Sequence, residues 1–205
     1  MATLQPEDVF APVLHSERLA HTIFNMNDAD DLEFVVMMFN MEVAGAGPTD
    51  GNWTGKDIRR LTYSLMPKPS DTHGRLPKDA PIYIARLGDA TGPRIGVVNL
   101  CRRTPIVPID LGYMFLPEHR KKGYATEAAA RVLRYITEEF GIKEICLITN
   151  ESNVASQKIA GKLNMVDGGH VSMGGHKCLV FVLPGMKKLE GQEFPFWGDG
   201  EEPSV

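Results

Sequence analysis

Along the chain the spacing of apolar residues changes period more than once. Residues 1–13 read as a loose arm, and Arg18 to Phe24 as a short strand. In DADDLEFVVMMFN, Leu32, Val35, Val36 and Phe39 recur at helical spacing, with Asn27 or Asp28 placed as the cap. Acidic residues crowd that helix's first turn, where they suit the positive end of its dipole. A glycine-rich loop at 44–53 follows, and Thr54 with Asp57 has capping-box spacing for a second helix over roughly 55–66. Residues 67–80 are polar and turn-forming throughout, a loop long enough to serve as a lid. From residue 81 the period drops to two. PIYIARL and RIGVVNLCRR predict a hairpin, and IDLGYMFL (109–116) a third strand.

Helical spacing returns near Gly123, with Ala128, Val132, Tyr135 and Ile136 on one face. EICLIT (144–149) is a short buried strand, so 109–149 reads as a βαβ unit with a parallel pair. A helix at 153–163 and a final antiparallel pair, MVDGGHVSMGG and KCLVFVL, complete an α/β pattern with a mixed sheet. The tail, 184–205, is rich in Gly, Pro and acidic residues. Its Phe194, Phe196 and Trp197 suit pinning to the domain's own surface or contact with another copy.

Composition narrows the function classes. The 205 residues are 43% hydrophobic and 23% charged, which excludes disordered or collagen-like chains. Lys plus Arg number 22 against 26 Asp plus Glu, a net charge of −4 that gives no global attraction to nucleic acid or anionic membrane. Any anionic ligand needs a local device. Cys101, Cys146 and Cys178 are widely spaced in apolar runs, so they suit buried thiols rather than a disulfide framework or a metal site. The opening residues lack signal-peptide character, and no run approaches the ~20 apolar residues of a membrane span. The expected setting is cytoplasmic.

The chemistry concentrates at two strand-to-helix turns. In LGYMFLPEHRKKGYATEAA (111–129) a strand gives way at once to a helix, whose first backbone N–H groups lack internal partners. Gly123 and Ala125 let an anion approach that main chain, and Arg120, Lys121 and Lys122 add positive charge. Neither a P-loop nor a GxGxxG fingerprint is present to compete for that role. One βα unit later, Asn153 and Ser156 share a helix face, with Lys158 and Lys162 further along. Asn153 also suits a plain helix cap. Asp110, with Gly112 and Met114, alternates to one face of its strand, and Leu111, Tyr113 and Phe115 to the other.

These two stretches together resemble the GNAT superfamily of acyl-CoA-dependent N-acetyltransferases. Arg120, Gly123 and Ala125 match its [Q/R]-x-x-G-x-[G/A] signature. The pattern Gly112, Tyr113, Pro117, Arg120, Gly123, Ala125, Thr126, Glu127, Ala128, then Asn153, Ser156, Lys162 and Met165, is similar to the ribosomal-protein N-terminal acetyltransferase branch. Glu17-Arg18-Leu19 resembles that branch's T-E-R-L entry, with Ser16 in place of Thr; Asn164 stands where Gly is common. The resemblance implies a domain over 14–183, with a mostly antiparallel sheet of six to seven strands, a central splayed parallel pair and about four helices. It implies acetyl-CoA as co-substrate, no metal, and a primary amine as acceptor. The long loop and acidic charge tilt the acceptor toward a small molecule rather than a protein N-terminus. A CoA-binding module without turnover is the alternative, and a homodimer follows by analogy alone.

The resemblance also distributes roles. Main chain of Tyr113, Met114, Phe115 and Leu116 would bond the pantetheine arm, and the amides at Lys121, Lys122, Gly123, Tyr124, Ala125 and Thr126 the pyrophosphate, beside Arg120 and Lys158. Asn153 would bond pantetheine, Ser156 would donate a hydrogen bond or proton to the leaving thiolate, and Asp110 is the candidate general base, ahead of His176 and Glu151.

Overall fold

The computed structural model describes residues 10–42, 52–65, 82–101 and 107–194. The expected loop at 67–80, most of the glycine-rich loop, and Phe196 with Trp197 lie outside the described residues. The order is β1 (Val13–His15), β2 (Leu19–Ile23), α1 (Ala29–Glu42), α2 (Gly55–Leu65), β3 (Ile82–Leu87), β4 (Arg94–Cys101) and β5 (Ile109–Phe115). Then come α3 (Tyr124–Glu138), β6 (Ile145–Asn150), α4 (Val154–Lys162), β7 (Val166–Met173), β8 (His176–Val182) and β9 (Glu193–Phe194). All these strands join one sheet, ordered β1-β2-β3-β4-β5-β6-β8-β7-β9. Pairing is antiparallel except for β5 with β6 and for β9, which runs parallel along β7. The expected mixed α/β fold is observed.

The nine described strands exceed the expected six to seven because the outermost two are too short to show a period. β1 is three residues and β9 two. Neither end is loose where it joins the sheet. Phe10 is buried against Tyr83, Tyr135 and Phe140 at edge-on or tilted angles. The Ala11 peptide unit is held from both sides: its N–H donates to Tyr135 Oη (2.7 Å), and its carbonyl accepts from Tyr83 Oη (2.8 Å). At the other end Leu189 is buried, and its N–H donates to the Gly168 carbonyl.

Two layers of helix cover the sheet. Strand alternation sends Tyr83 and Ala85 toward α3, whose Ala128, Val132 and Ile136 stripe closes the larger core. Ile82 and Ile84 point the other way, onto Phe34, Val35 and Met38 of α1 and Ile58 of α2. The acidic start of α1 is consumed structurally, since buried Asp31 pairs with Arg86 (3.2 Å) and Arg94 (2.9 Å). Thr54 and Asp57 form the expected reciprocal cap of α2, with Thr54 N–H donating to Asp57 (2.8 Å). All three cysteines are free thiols and buried.

Candidate active site

The parallel pair at the sheet's centre is brief. β5 and β6 register only at Ile109 with Ile145 and Asp110 with Cys146; beyond that point the strands diverge. The divergence leaves one edge of β5 facing a gap, because its other edge stays bonded to β4 through Gly96 and Phe115. Asp110 sits at the apex. It is only 3% exposed, and its Oδ1 accepts the Ile148 N–H across the gap at 3.0 Å, a bond that a β5 carbonyl would otherwise make.

At the far end of β5 the chain makes a short 3-10 turn (Pro117–His119) and enters α3. Lys121 (φ 60) and Gly123 (φ 86) are both left-handed, and α3 has no side-chain cap at Gly123. Among the described residues, no hydrogen bond engages the main-chain amides of 121–126; the first amide to be satisfied is Glu127's, by the Gly123 carbonyl. This is a concave row of partially positive N–H groups at a helix start. It suits a phosphate without further device. Lys121 and Lys122 are exposed beside it, whereas Arg120 is turned back to brace the strand, its Nε donating to the Phe115 carbonyl at 2.9 Å.

The turn is anchored from below by a segment that sequence reading valued only for its resemblance. Arg18 Nε donates to Glu127 Oε2 and the Arg18 N–H to Glu127 Oε1, each at 2.7 Å. Ser16 Oγ adds a third bond to Oε1 at 2.8 Å. Burial pushes the Glu127 carboxyl up, but these donors prevail and hold it below the usual carboxylate range. Behind Ser16, His21 is fully buried and its basicity falls to about 4 through desolvation, so it is neutral at ordinary pH.

The second turn carries Asn153 as the N-cap of α4, its side chain accepting the Ser156 N–H at 3.1 Å. The helix ends with Asn164 left-handed (φ 57), where Met165 N–H returns to the Ala160 carbonyl, so Asn serves the position where Gly is common. Ser156 is half-buried beside Tyr113. Burial raises the Tyr113 phenol to about 12; the neighbouring Ser156 hydroxyl tempers that rise, although the buried Oη has no partner in hydrogen-bond geometry. Lys158 is exposed on α4.

These parts meet in one cavity of about 190 Å³, lined by Asp110, Gly112, Tyr113, Met114, Asn153 and Ser156 together with residues not expected at the site from sequence. The additional walls are Asn99 and Cys101 of β4, Phe39 of α1, Leu61 of α2, Ile82 of β3 and Thr149 of β6. Asn99 pairs with Gly112, and a Cβ at 112 would lie 2.5 Å from its Oδ1, so the glycine makes room for that carboxamide. A polar residue within the apolar run RIGVVNLC was the available signal for Asn99. Phe39 and Leu61 follow ordinary core spacing and gave none. The turn residues 120–126 do not line this cavity; they follow the end of β5, whose residues 110–114 do.

A sheet split at its centre, with an amide-lined helix start at one end of the split, offers an open strand edge to an extended chain and partial positive charge to an anion. The family model described as the acetyltransferase (GNAT) domain matches residues 22–166, and the chain belongs to that family, whose members are acyltransferases. A 56-residue stretch is 32% identical to the uncharacterized N-acetyltransferase YnaD of Bacillus subtilis (strain 168), covering 27% of this chain and only 33% of that relative's length. Among solved structures, a GNAT-family acetyltransferase from Bacillus anthracis superposes with a TM-score of 0.61 at 19% identity, over 83% of this chain and 97% of that one. A mutant of the spermidine N-acetyltransferase SpeG from Vibrio cholerae gives 0.59 at 17% identity, over 81% and 93%. At such identities the structures speak for the fold.

Proposed function

We propose that this protein is an acetyl-CoA-dependent N-acetyltransferase acting on the primary amine of a small molecule. The observation that carries the reading is the row of unengaged amides at 121–126, set at the open end of the β5–β6 split. When bound, acetyl-CoA supplies an activated thioester. Amides 121–126, with Lys121 and Lys122, would hold its pyrophosphate, and the open edge of β5 at Tyr113, Met114, Phe115 and Leu116 would bond the pantetheine arm as a further strand. Asn153 and Lys158 would flank that arm. Ser156, on the wall of the cavity beside Tyr113, would donate a hydrogen bond or proton to the departing thiolate. Asp110, at the apex, would draw the proton from the attacking amine through a water.

The acceptor's surroundings support a small amine with an apolar body. Phe39, Leu61, Ile82, Cys101 and Met114 form the wall on the α1 and α2 side, and Asn99 and Asp110 supply its polar end. A protein N-terminus is the second reading, favoured by the Glu17-Arg18-Leu19 entry that resembles the ribosomal-protein branch. Thiol release from acetyl-CoA across a panel of monoamines, polyamines, aminoglycosides and peptides with free N-termini tests both. Release with a small monoamine is expected. CoA binding with no thiol release from any amine would overturn the reading in favour of a non-catalytic CoA module.

A further inference from the structure

The Arg18–Glu127 contact is more elaborate than a surface ion pair needs to be. Besides its Nε bond to Glu127, which the Arg18 main-chain N–H supplements, the Arg18 guanidinium donates Nη1 to the Lys122 carbonyl at 3.0 Å, stacks 4.5 Å from the Tyr124 ring centre, and would stand 3.3 Å from a Cβ at Gly123. One side chain thus engages Lys122 and Tyr124 and lies where a side chain at Gly123 would crowd it. The turn carries strain that this contact can brace, because Lys121 is left-handed (φ 60), a conformation its Cβ disfavours. Because the peptide is planar and trans, pinning the Lys122 carbonyl also turns the Gly123 N–H to the side away from Arg18.

Glu127 raises a second issue. A carboxylate in the first turn of α3 is drawn to the same unsatisfied amides that would receive a phosphate. Both its oxygens are instead occupied by Arg18 and Ser16, from the segment joining β1 and β2. Its charge is tied down away from the anion's place.

We infer that Arg18 and Glu127 are positioning residues, a clasp that presets the β5–α3 turn for the diphosphate end of the donor and governs affinity for that end alone. The inference rests on the acyl-CoA reading. Charge alone predicts something different: removing the Glu127 carboxylate would then tighten binding of an anion, and Lys would replace Arg18 without loss. The clasp predicts weakening in both cases, since Lys lacks the planar fork and Gln the second charged acceptor.

The test is calorimetric titration of the full chain with CoA, and with pantetheine, which lacks the diphosphate, by competition. Arg18→Lys, Arg18→Gln and Glu127→Gln should each raise the Kd for CoA about tenfold, the loss of one or two charge-assisted hydrogen bonds, and leave pantetheine within about twofold. Equal weakening of both ligands would reduce the clasp to general structural support and overturn the inference. Tighter CoA binding by Glu127→Gln, or full rescue by Arg18→Lys, would overturn it in favour of simple charge. A wild-type protein that binds CoA no better than pantetheine would instead overturn the phosphate-cradle reading, and the clasp with it. Should Arg18→Gln fail to fold, the two conservative variants decide.

Discussion

Two strand-to-helix turns stand side by side in this sheet, and they spend their backbone differently. Where β6 passes into α4, the amides are consumed locally: Ser152 donates both its N–H and its hydroxyl to Asn150 Oδ1 (2.9 and 2.8 Å), and Ser156 N–H goes to Asn153. Where β5 passes into α3, two left-handed residues and an uncapped first turn leave the amides unspent. The first arrangement presents side chains on a fixed helix start. The second presents a field. An acyl transfer from an anionic carrier needs one of each, a proton donor held still and a cradle for the carrier's charge.

Substitutions can break this contrast at either turn. The largest effect is expected from Ser156→Ala, which removes the hydroxyl but keeps the cap, since the cap uses the Ser156 main-chain N–H. Turnover at saturating substrates should fall by about 10²–10⁴ with Michaelis constants little changed. Equal turnover would return Ser156 to helix packing. Gly123→Glu puts a side chain at a left-handed position beside the amide row and adds a negative charge there. The Kd for acetyl-CoA by calorimetry should rise about a hundredfold in a folded protein, and unchanged binding would remove the cradle assignment.

A smaller, pH-dependent effect should come from the apex between the two turns. Asp110→Asn should lower turnover at neutral pH by at least about tenfold, the factor by which an α-amino group with a pKa near 8 is short of its free base at pH 7, and by more for a lysine-type amine near 10.4. Activity should recover as pH rises and free amine accumulates. A constant ratio of mutant to wild-type rate between about pH 6.5 and about pH 9.5 would exclude the base role. The smallest effect is expected from Asn153→Ala, which removes the α4 cap and should cost about 1 kcal/mol of stability in a denaturant titration. A contact to pantetheine would add a rise in the Kd for CoA, and stability loss alone would leave Asn153 a cap.

Much of this contrast was legible in the sequence, where it was written in periodicity or in turn chemistry. The β5 alternation holds: Leu111 and Phe115 are buried in the α3-side core with Tyr113 against it, and Met114 packs toward α1 and α2. Gly123 and the abrupt strand-to-helix change announced the open turn, and the two-unit period from residue 81 announced the hairpin. What escaped was non-local. Nothing in the spacing of Ser16 and Arg18 shows that they reach Glu127, over a hundred residues away. The edge strands escaped because two or three residues carry no period, and Phe39 and Leu61 because a cavity wall and a core face use the same residues at the same spacing. At the charged turn, Arg120 also bonds its own strand end through Nε, a contact the spacing does not show.

The central claim is that the amides of 121–126 are held open for the anionic end of a CoA donor. Backbone amide resonances of the isotope-labelled protein, followed through a CoA titration and repeated with pantetheine, test it residue by residue. The account predicts that CoA shifts the 121–126 amides downfield as they gain acceptors, and that pantetheine at saturation leaves them in place while moving signals along β5. Saturation with CoA that left the 121–126 resonances where they stood would contradict it.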